Sequence, residues 1–279
     1  MKHEEGTIDG AGGTSIYWQS WLPKGTPIAS IVIAHGLGEH SGRYARAAEF
    51  LTSKGYVVYA IDHRGHGKSE GKRALVDNFD YAVADMDKLV EIVRARHSDR
   101  KLFLLGHSMG GALSLSYALS RQKKLDGLLL SGPAVSLDGI SRVTLVISKI
   151  LSIFFPGLGL FSVDPSVVSR DAAEAEAYDA DPLNFHGKVP ARTLGEIIKF
   201  VGALPDQLKT IKLPLLIMHG TDDKLAGIAG SEMVLKMVKS KDKTLKRYEG
   251  LYHEIFNEFP KDRERVFADM GDWLGARAS

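Results

Sequence analysis

The run Gly106-His107-Ser108-Met109-Gly110 carries residue types suited to nucleophilic chemistry, set directly after the apolar stretch KLFLLG and directly before GALSLSYAL. G-x-S-x-G between a strand and a helix predicts a nucleophile elbow. Glycines at both ends let a sharp turn hold Ser108 in a strained conformation with its hydroxyl exposed. The helix that follows offers the N–H of Met109, and its dipole, to an oxyanion beside Ser108. A serine hydroxyl needs a base. In the strand order that such an elbow implies, nucleophile, acid and histidine follow one another along the chain, and of the ten histidines only His186, His219 and His253 lie after Ser108. His186 falls in a stretch without strand pattern and His219 ends an apolar strand, which leaves His253, in the loop of EGLYHE, as the base. The acid is sought after the strand LLIMH, where HGTDD presents Asp222 and Asp223. Asp223 is the expected partner of the His253 Nδ1–H. Asp222 stands as the alternative, otherwise a turn residue bonding its own backbone. The loop HGLGE places Leu37 where a second oxyanion donor belongs.

Other chemistries find less support. The glycines of HGLGE match neither GxGxxG nor GxxxxGK[ST], so a nucleotide cradle is not expected. His63 and His66 in HRGH lack the helix, the glutamate and the third ligand of a zinc hydrolase. With no cysteine there is no thiolate nucleophile, disulfide or Cys-based zinc site. No metal and no cofactor are therefore expected. A net charge of +2 from 36 basic and 34 acidic side chains leaves no surplus for a nucleic-acid backbone.

These residues must be held by a scaffold, and the pattern for one is visible. SIVIAH (30–35), YVVYAI (56–61), KLFLLG (101–106), GLLLS (127–131) and LPLLIM (213–218) are short runs apolar on both faces, as strands buried in a parallel sheet are. Helical stretches are expected near 42–54, 78–96, 108–120, 231–239 and 261–274, with further strands at 15–22 and 244–248. The alternation predicts a doubly wound, mostly parallel sheet with right-handed crossovers. From 135 to 205 the rhythm stops. That segment is expected as an inserted helical cap, between a first part of the core at 1–134 and a second at 206–279. Within it, 143–161 is crowded with Leu, Ile, Val and Phe but interrupted by Lys149, Pro156, Gly157 and Gly159, which disfavours a membrane span and suggests an apolar face for lipid or an acyl chain. The start MKHEEGTIDG has no basic segment followed by an apolar run, so a cytoplasmic enzyme is expected, with transient contact to a membrane surface through the cap. Oligomeric state is not readable from the sequence.

Taken together, HGLGEHSGRY (35–44), DHRGHGKSEGKR (62–73), GHSMGG (106–111), AYDADPL (177–183), HGTDDKL (219–225) and YEGLYHEIFNE (248–258) resemble the monoacylglycerol lipase family of serine α/β-hydrolases. The resemblance spans nearly the whole chain. It implies the α/β-hydrolase fold and hydrolysis of a fatty-acid monoester of glycerol, with other single-chain esters such as lysophospholipids as the alternative. A non-catalytic binder of apolar ligands is a remoter one. It also implies that Glu39, Arg43 and Tyr178 shape the polar end of the pocket; a helix-entry ion pair is the competing role for Glu39 and Arg43. One departure is Phe256, where some animal members carry a polar residue three positions after the catalytic histidine.

Overall fold

In the computed structural model, which describes residues 2–137 and 141–278, residues that alternate along each central strand go to two different cores. Strands β1 (Lys2–Asp9), β2 (Ser15–Leu22), β3 (Ala29–Ala34), β4 (Val57–Ile61), β5 (Lys101–His107), β6 (Gly127–Ser131), β7 (Leu215–Gly220) and β8 (Lys243–Tyr248) form one sheet in the order β1-β2-β4-β3-β5-β6-β7-β8. β1 and β2 are antiparallel and β2 joins β4 antiparallel; every other pair is parallel. This is the α/β-hydrolase architecture, with a mostly parallel sheet wrapped by helices on both faces.

Val32, Leu104, Leu128, Leu130 and Ile217 face helices α2 (Phe79–Arg96), α3 (Met109–Arg121) and α7 (Ile228–Met237). Ile31, Ile33, Phe103, Leu105, Leu129 and Met218 face α1 (Ala45–Ser53) and α8 (Pro260–Ala278). Period-two side-chain alternation feeds both layers, so the central strands are apolar throughout. β1 carries KHEEGTID, too polar for such a strand, and the sequence reading did not assign it; it lies at the sheet edge, where only its register with β2 is required. α1 begins later than expected, at Ala45, because a tight 3₁₀ turn over Ser41–Tyr44 precedes it, capped by the His40 side chain accepting from the N–H of Gly42. α7 begins earlier, at Ile228.

Between β6 and β7 the chain runs through α4 (Arg142–Phe154), α5 (Ala172–Ala180) and α6 (Ala191–Leu208). Residues 138–140, within the segment expected as the insertion, lie outside the described residues. α6 continues through Pro205 and buries Leu204 and Leu208 in the sheet core, so its last turns belong to the packing under the sheet. The register pairs Ala34 with Gly106, His107 with Ser131 and Ser131 with Met218. The carboxyl ends of β3, β5, β6 and β7 thus finish side by side, and the loops leaving them converge on one edge, where open α/β sheets place ligands. Among the described residues no helix is long and apolar enough to cross a membrane.

Candidate active site

Ser108 sits between β5 and α3 with φ 53° and ψ −119°, one of two non-glycine residues with positive φ among the described residues. A side chain there is strained, and the cost is sustained by the packing around it. A Cβ on Gly110 would overlap the backbone carbonyl oxygens of Ala34 and His35, and one on Gly106 the hydroxyl of Ser114 and the carbonyl of Gly110. Both positions need glycine because β3 and the start of α3 pass too close for any side chain. The backbone of Ser108 is pinned on three sides. Its N–H donates to the Ser131 carbonyl at 3.0 Å, and its carbonyl accepts from Ala112 at 3.2 Å and Ala134 at 3.0 Å.

His253 is buried, and its Nδ1–H donates to Asp223 Oδ2 at 2.7 Å. Asp223 Oδ1 accepts from the N–H groups of Leu225 at 2.8 Å and Ala226 at 2.9 Å. His219 Nε2 lies 3.1 Å from Asp223 Oδ2 and 2.7 Å from the Ala226 carbonyl oxygen. A carbonyl only accepts, so Nε2 carries the proton, and Nδ1 takes the hydroxyl hydrogen of Ser231 at 2.7 Å. Burial pushes the Asp223 carboxyl up, but His253, His219 and the backbone donors outweigh it and hold it well below the usual carboxylate range. Burial likewise opposes a charged His253, yet Asp223 beside it raises the imidazole above its ordinary value. An ionised Asp223 on Nδ1 fixes the tautomer that leaves Nε2 bare, able to take a proton. Asp222, exposed, has its carboxylate accepting from the adjacent Thr221 hydroxyl at 3.1 Å and no bond to His253.

Ser108 and His253 line one cavity of about 220 Å³ together with Gly36, Leu37 and Met109. Its walls are mainly apolar, with Phe161, Val163, Leu194, Ile197 and Ile198 contributed from the segment between β6 and β7. Met109 is the first residue of α3, so its N–H has no acceptor within the helix. The loop carrying Leu37 approaches closely: a Cβ on Gly36 would stand 3.1 Å from the Ser108 Cβ. Two backbone N–H groups beside one serine hydroxyl can stabilise a developing oxyanion.

The polar end of this cavity is formed by Glu39, His107, Tyr178 and Glu254. His107 donates from Nδ1 to the Ser131 carbonyl at 3.0 Å, its ring centroid 4.7 Å from that of His253; burial, then the neighbouring imidazole, pull it down to about 4, so it stays neutral. The Tyr178 hydroxyl donates to the Gly38 carbonyl at 3.2 Å. Arg43, expected in the polar end of the pocket, does not line it. Its guanidinium is taken up by Glu39 at 2.9 Å and by both oxygens of Glu254 at 2.6 and 2.7 Å, and lies 4.8 Å from the centroid of the Tyr178 ring. Its donors face carboxylates, the arrangement of the ion pair that is the competing role for Glu39 and Arg43. Phe256 packs against Phe267 instead. Reading the sequence did not single out Glu254 or the bond from His219 to Asp223; a glutamate beside a histidine and a histidine ending a strand carry no local signal of their own. Among the described residues no cluster of His, Asp or Glu could hold a metal ion.

A family described as serine aminopeptidase, S33, matches residues 25–260. A monoacylglycerol lipase of Mycolicibacterium smegmatis is 38% identical over 271 residues, 97% of this chain and 96% of that protein. Phospholipase YtpA of Bacillus subtilis is 34% identical over 250 residues, 86% of this chain and 93% of that protein. The structure of a soluble variant of monoglyceride lipase from Saccharomyces cerevisiae, in complex with a substrate analogue, superposes with a TM-score of 0.90 at 26% identity, covering 99% of this chain and 95% of that one. Identity over nearly the full length, with the same fold, makes this chain a member of the monoacylglycerol lipase family of α/β-hydrolases.

Proposed function

We propose that the protein hydrolyses the ester bond of monoacylglycerols, releasing glycerol and a free fatty acid, with Ser108, His253 and Asp223 as the catalytic groups. One observation carries the reading: Ser108, on a strained elbow, and His253, held from behind by Asp223 at 2.7 Å, open into the same apolar cavity. Nε2 of His253 takes the hydroxyl proton as Ser108 Oγ adds to the ester carbonyl. The oxyanion rests on the N–H groups of Leu37 and Met109. As the tetrahedral species collapses, the C–O bond to glycerol breaks and the imidazolium returns its proton to the leaving alkoxide. Water, deprotonated by the same nitrogen, then attacks the acyl-enzyme; Ser108 leaves with the proton and the fatty acid is free. Carboxylates and the Tyr178 hydroxyl at the polar end suit an alcohol rich in hydroxyl groups, and the apolar walls suit a single acyl chain.

The test is a panel of monoacylglycerol, diacylglycerol and lysophospholipid with one acyl chain and one enzyme batch. The highest kcat/KM is expected for monoacylglycerol. A lysophospholipid turned over faster would replace this substrate, an outcome favoured only by the similarity to the Bacillus subtilis phospholipase. Covalent labelling of Ser108 by a fluorophosphonate is expected, and its absence would leave a non-catalytic binder.

The same reading extends to where the substrate is met. Val143, Val146, Ile147, Ile150 and Phe154 form a stripe along α4 at helical spacing, and all are exposed, Phe154 by 71%. Phe155, Leu158 and Phe161 continue it to the cavity, which Phe161 lines. So large an apolar face favours contact with a lipid surface, and the enzyme works there as a peripheral visitor from the cytoplasm.

A further inference from the structure

Three charges, the buried Glu39 and Glu254 and the part-buried Arg43 between them, join two loops that share no strand pairing. Glu39 Oε1 accepts from the N–H of Gly36 at 2.6 Å and from the Tyr44 hydroxyl at 2.8 Å, while its Oε2 accepts from Arg43. The same guanidinium grips both oxygens of Glu254, 211 residues further along the chain, in a forked pair. Glu254 Oε2 also accepts from Asn257 Nδ2 at 3.0 Å. Gly36 immediately precedes Leu37, and Glu254 immediately follows His253. Each carboxylate therefore bonds beside one half of the catalytic machinery, and among the described residues Arg43 is the one side chain bonded to both. Burying such charges is costly unless they are paired, and apolar residues of similar volume often hold a fold as well.

We propose that Arg43 is a positioning residue: through Glu39 and Glu254 it sets the spacing between the oxyanion loop and the loop of His253, and offsets the charge these carboxylates place beside the imidazole. The inference rests on the ester-hydrolase reading above.

Around His253 stand Asp223 from the loop after β7, His107 from the end of β5, Glu39 from the loop after β3 and Glu254 on its own loop, with His219 behind Asp223 and Arg43 behind the two glutamates. Removing the cation leaves both glutamates uncompensated, which favours imidazolium. Removing Glu254 does the reverse.

The experiment is steady-state kinetics on monoacylglycerol across pH for wild type, Arg43→Met, Arg43→Lys and Glu254→Gln, each first checked for folding by circular dichroism. Arg43→Met should lower kcat by about 10- to 100-fold with little change in KM, the loss expected from misplacing catalytic groups, and move the acid limb to higher pH. Glu254→Gln should move it to lower pH. Arg43→Lys, keeping the charge but not the fork, should lose kcat while its acid limb stays in place. An unchanged kcat in Arg43→Met, a rise in KM alone, or acid limbs moving the same way in Arg43→Met and Glu254→Gln would overturn the proposal. Should Arg43→Met fail to fold, Arg43→Lys and Glu254→Gln decide it: full kcat in the first, or no downward shift in the second, overturns it. Wild-type enzyme that neither turns over ester nor reacts with fluorophosphonate would instead remove the hydrolase reading.

Discussion

At the scale of single residues, the catalytic proposal is a set of constraints on one proton. Asp223 is held ionised by two backbone N–H groups and two imidazoles, so the Nδ1–H of His253 has a permanent acceptor and Nε2 stays free to act as base. Replacing Ser108 by Ala should cut turnover by about 10³-fold or more, because the groups act as a unit, and should abolish fluorophosphonate labelling. Near-normal hydrolysis by the purified variant would take Ser108 out of the mechanism. The pH profile follows from the direction of the His253 shift. Its pKa lies above the ordinary value of 6.5, so the inactive imidazolium persists to higher pH than in a free histidine. The midpoint of the acid limb in kcat/KM should therefore lie above 6.5, and a limb centred below that value would mean that burial outweighs Asp223.

At the scale of elements, the site depends on two helices for opposite reasons. α3 must enter the sheet so closely that Gly110 meets the β3 carbonyls. Gly110→Ala should destabilise the fold by about 1–3 kcal/mol or more, seen as a lower urea midpoint, since neither backbone can yield without moving Ser108. α4 is constrained by little on its outer face. Phe154→Ser and Ile150→Ser should each change stability by less than about 0.5 kcal/mol, as exposed substitutions do. Together they should weaken partition onto phospholipid vesicles, each lost apolar side chain removing up to roughly 1.5–3 kcal/mol of burial in lipid. Unchanged sedimentation with vesicles would sink the contact through α4, while a large drop in urea midpoint would show that the stripe packs inside the protein.

At the scale of the whole molecule, the buried ionisable groups tie stability to pH. His107 and His66, at about 4 and about 3, and His35 and His63, also below 6.5, are neutral in the fold chiefly because burial disfavours their charge. As pH falls below about 6.5 the unfolded chain takes up these protons before the folded one, so stability declines there. Glu39, at about 2, together with Glu254 and Asp223, which are also lowered, stabilises fully above the ordinary carboxylate range and loses that contribution as pH drops through it. His253, raised, acts in the other sense and stabilises below 6.5, but it is one group against four histidines. The urea midpoint should fall continuously from pH 7 to pH 4, and a flat midpoint across that interval would contradict the burial of these imidazoles as neutral groups.

What the sequence by itself determined is what rests on local pattern. Apolar runs on both strand faces imply a parallel sheet, a serine between two glycines at a strand-to-helix junction implies an elbow, and the order of elements leaves His253 and Asp223 as candidates at converging loop ends. β1 escaped because an edge strand needs no apolar alternation, and the 3₁₀ turn before α1 because its cap comes from a histidine side chain. Tertiary structure alone decided that Glu254 joins the ion pair of Glu39 and Arg43, and that His219 supports Asp223. Arg43 and Glu254 stand 211 residues apart, and His219 meets Asp223 only because the turn after β7 folds back on the strand end, choices that neither residue type nor spacing encodes.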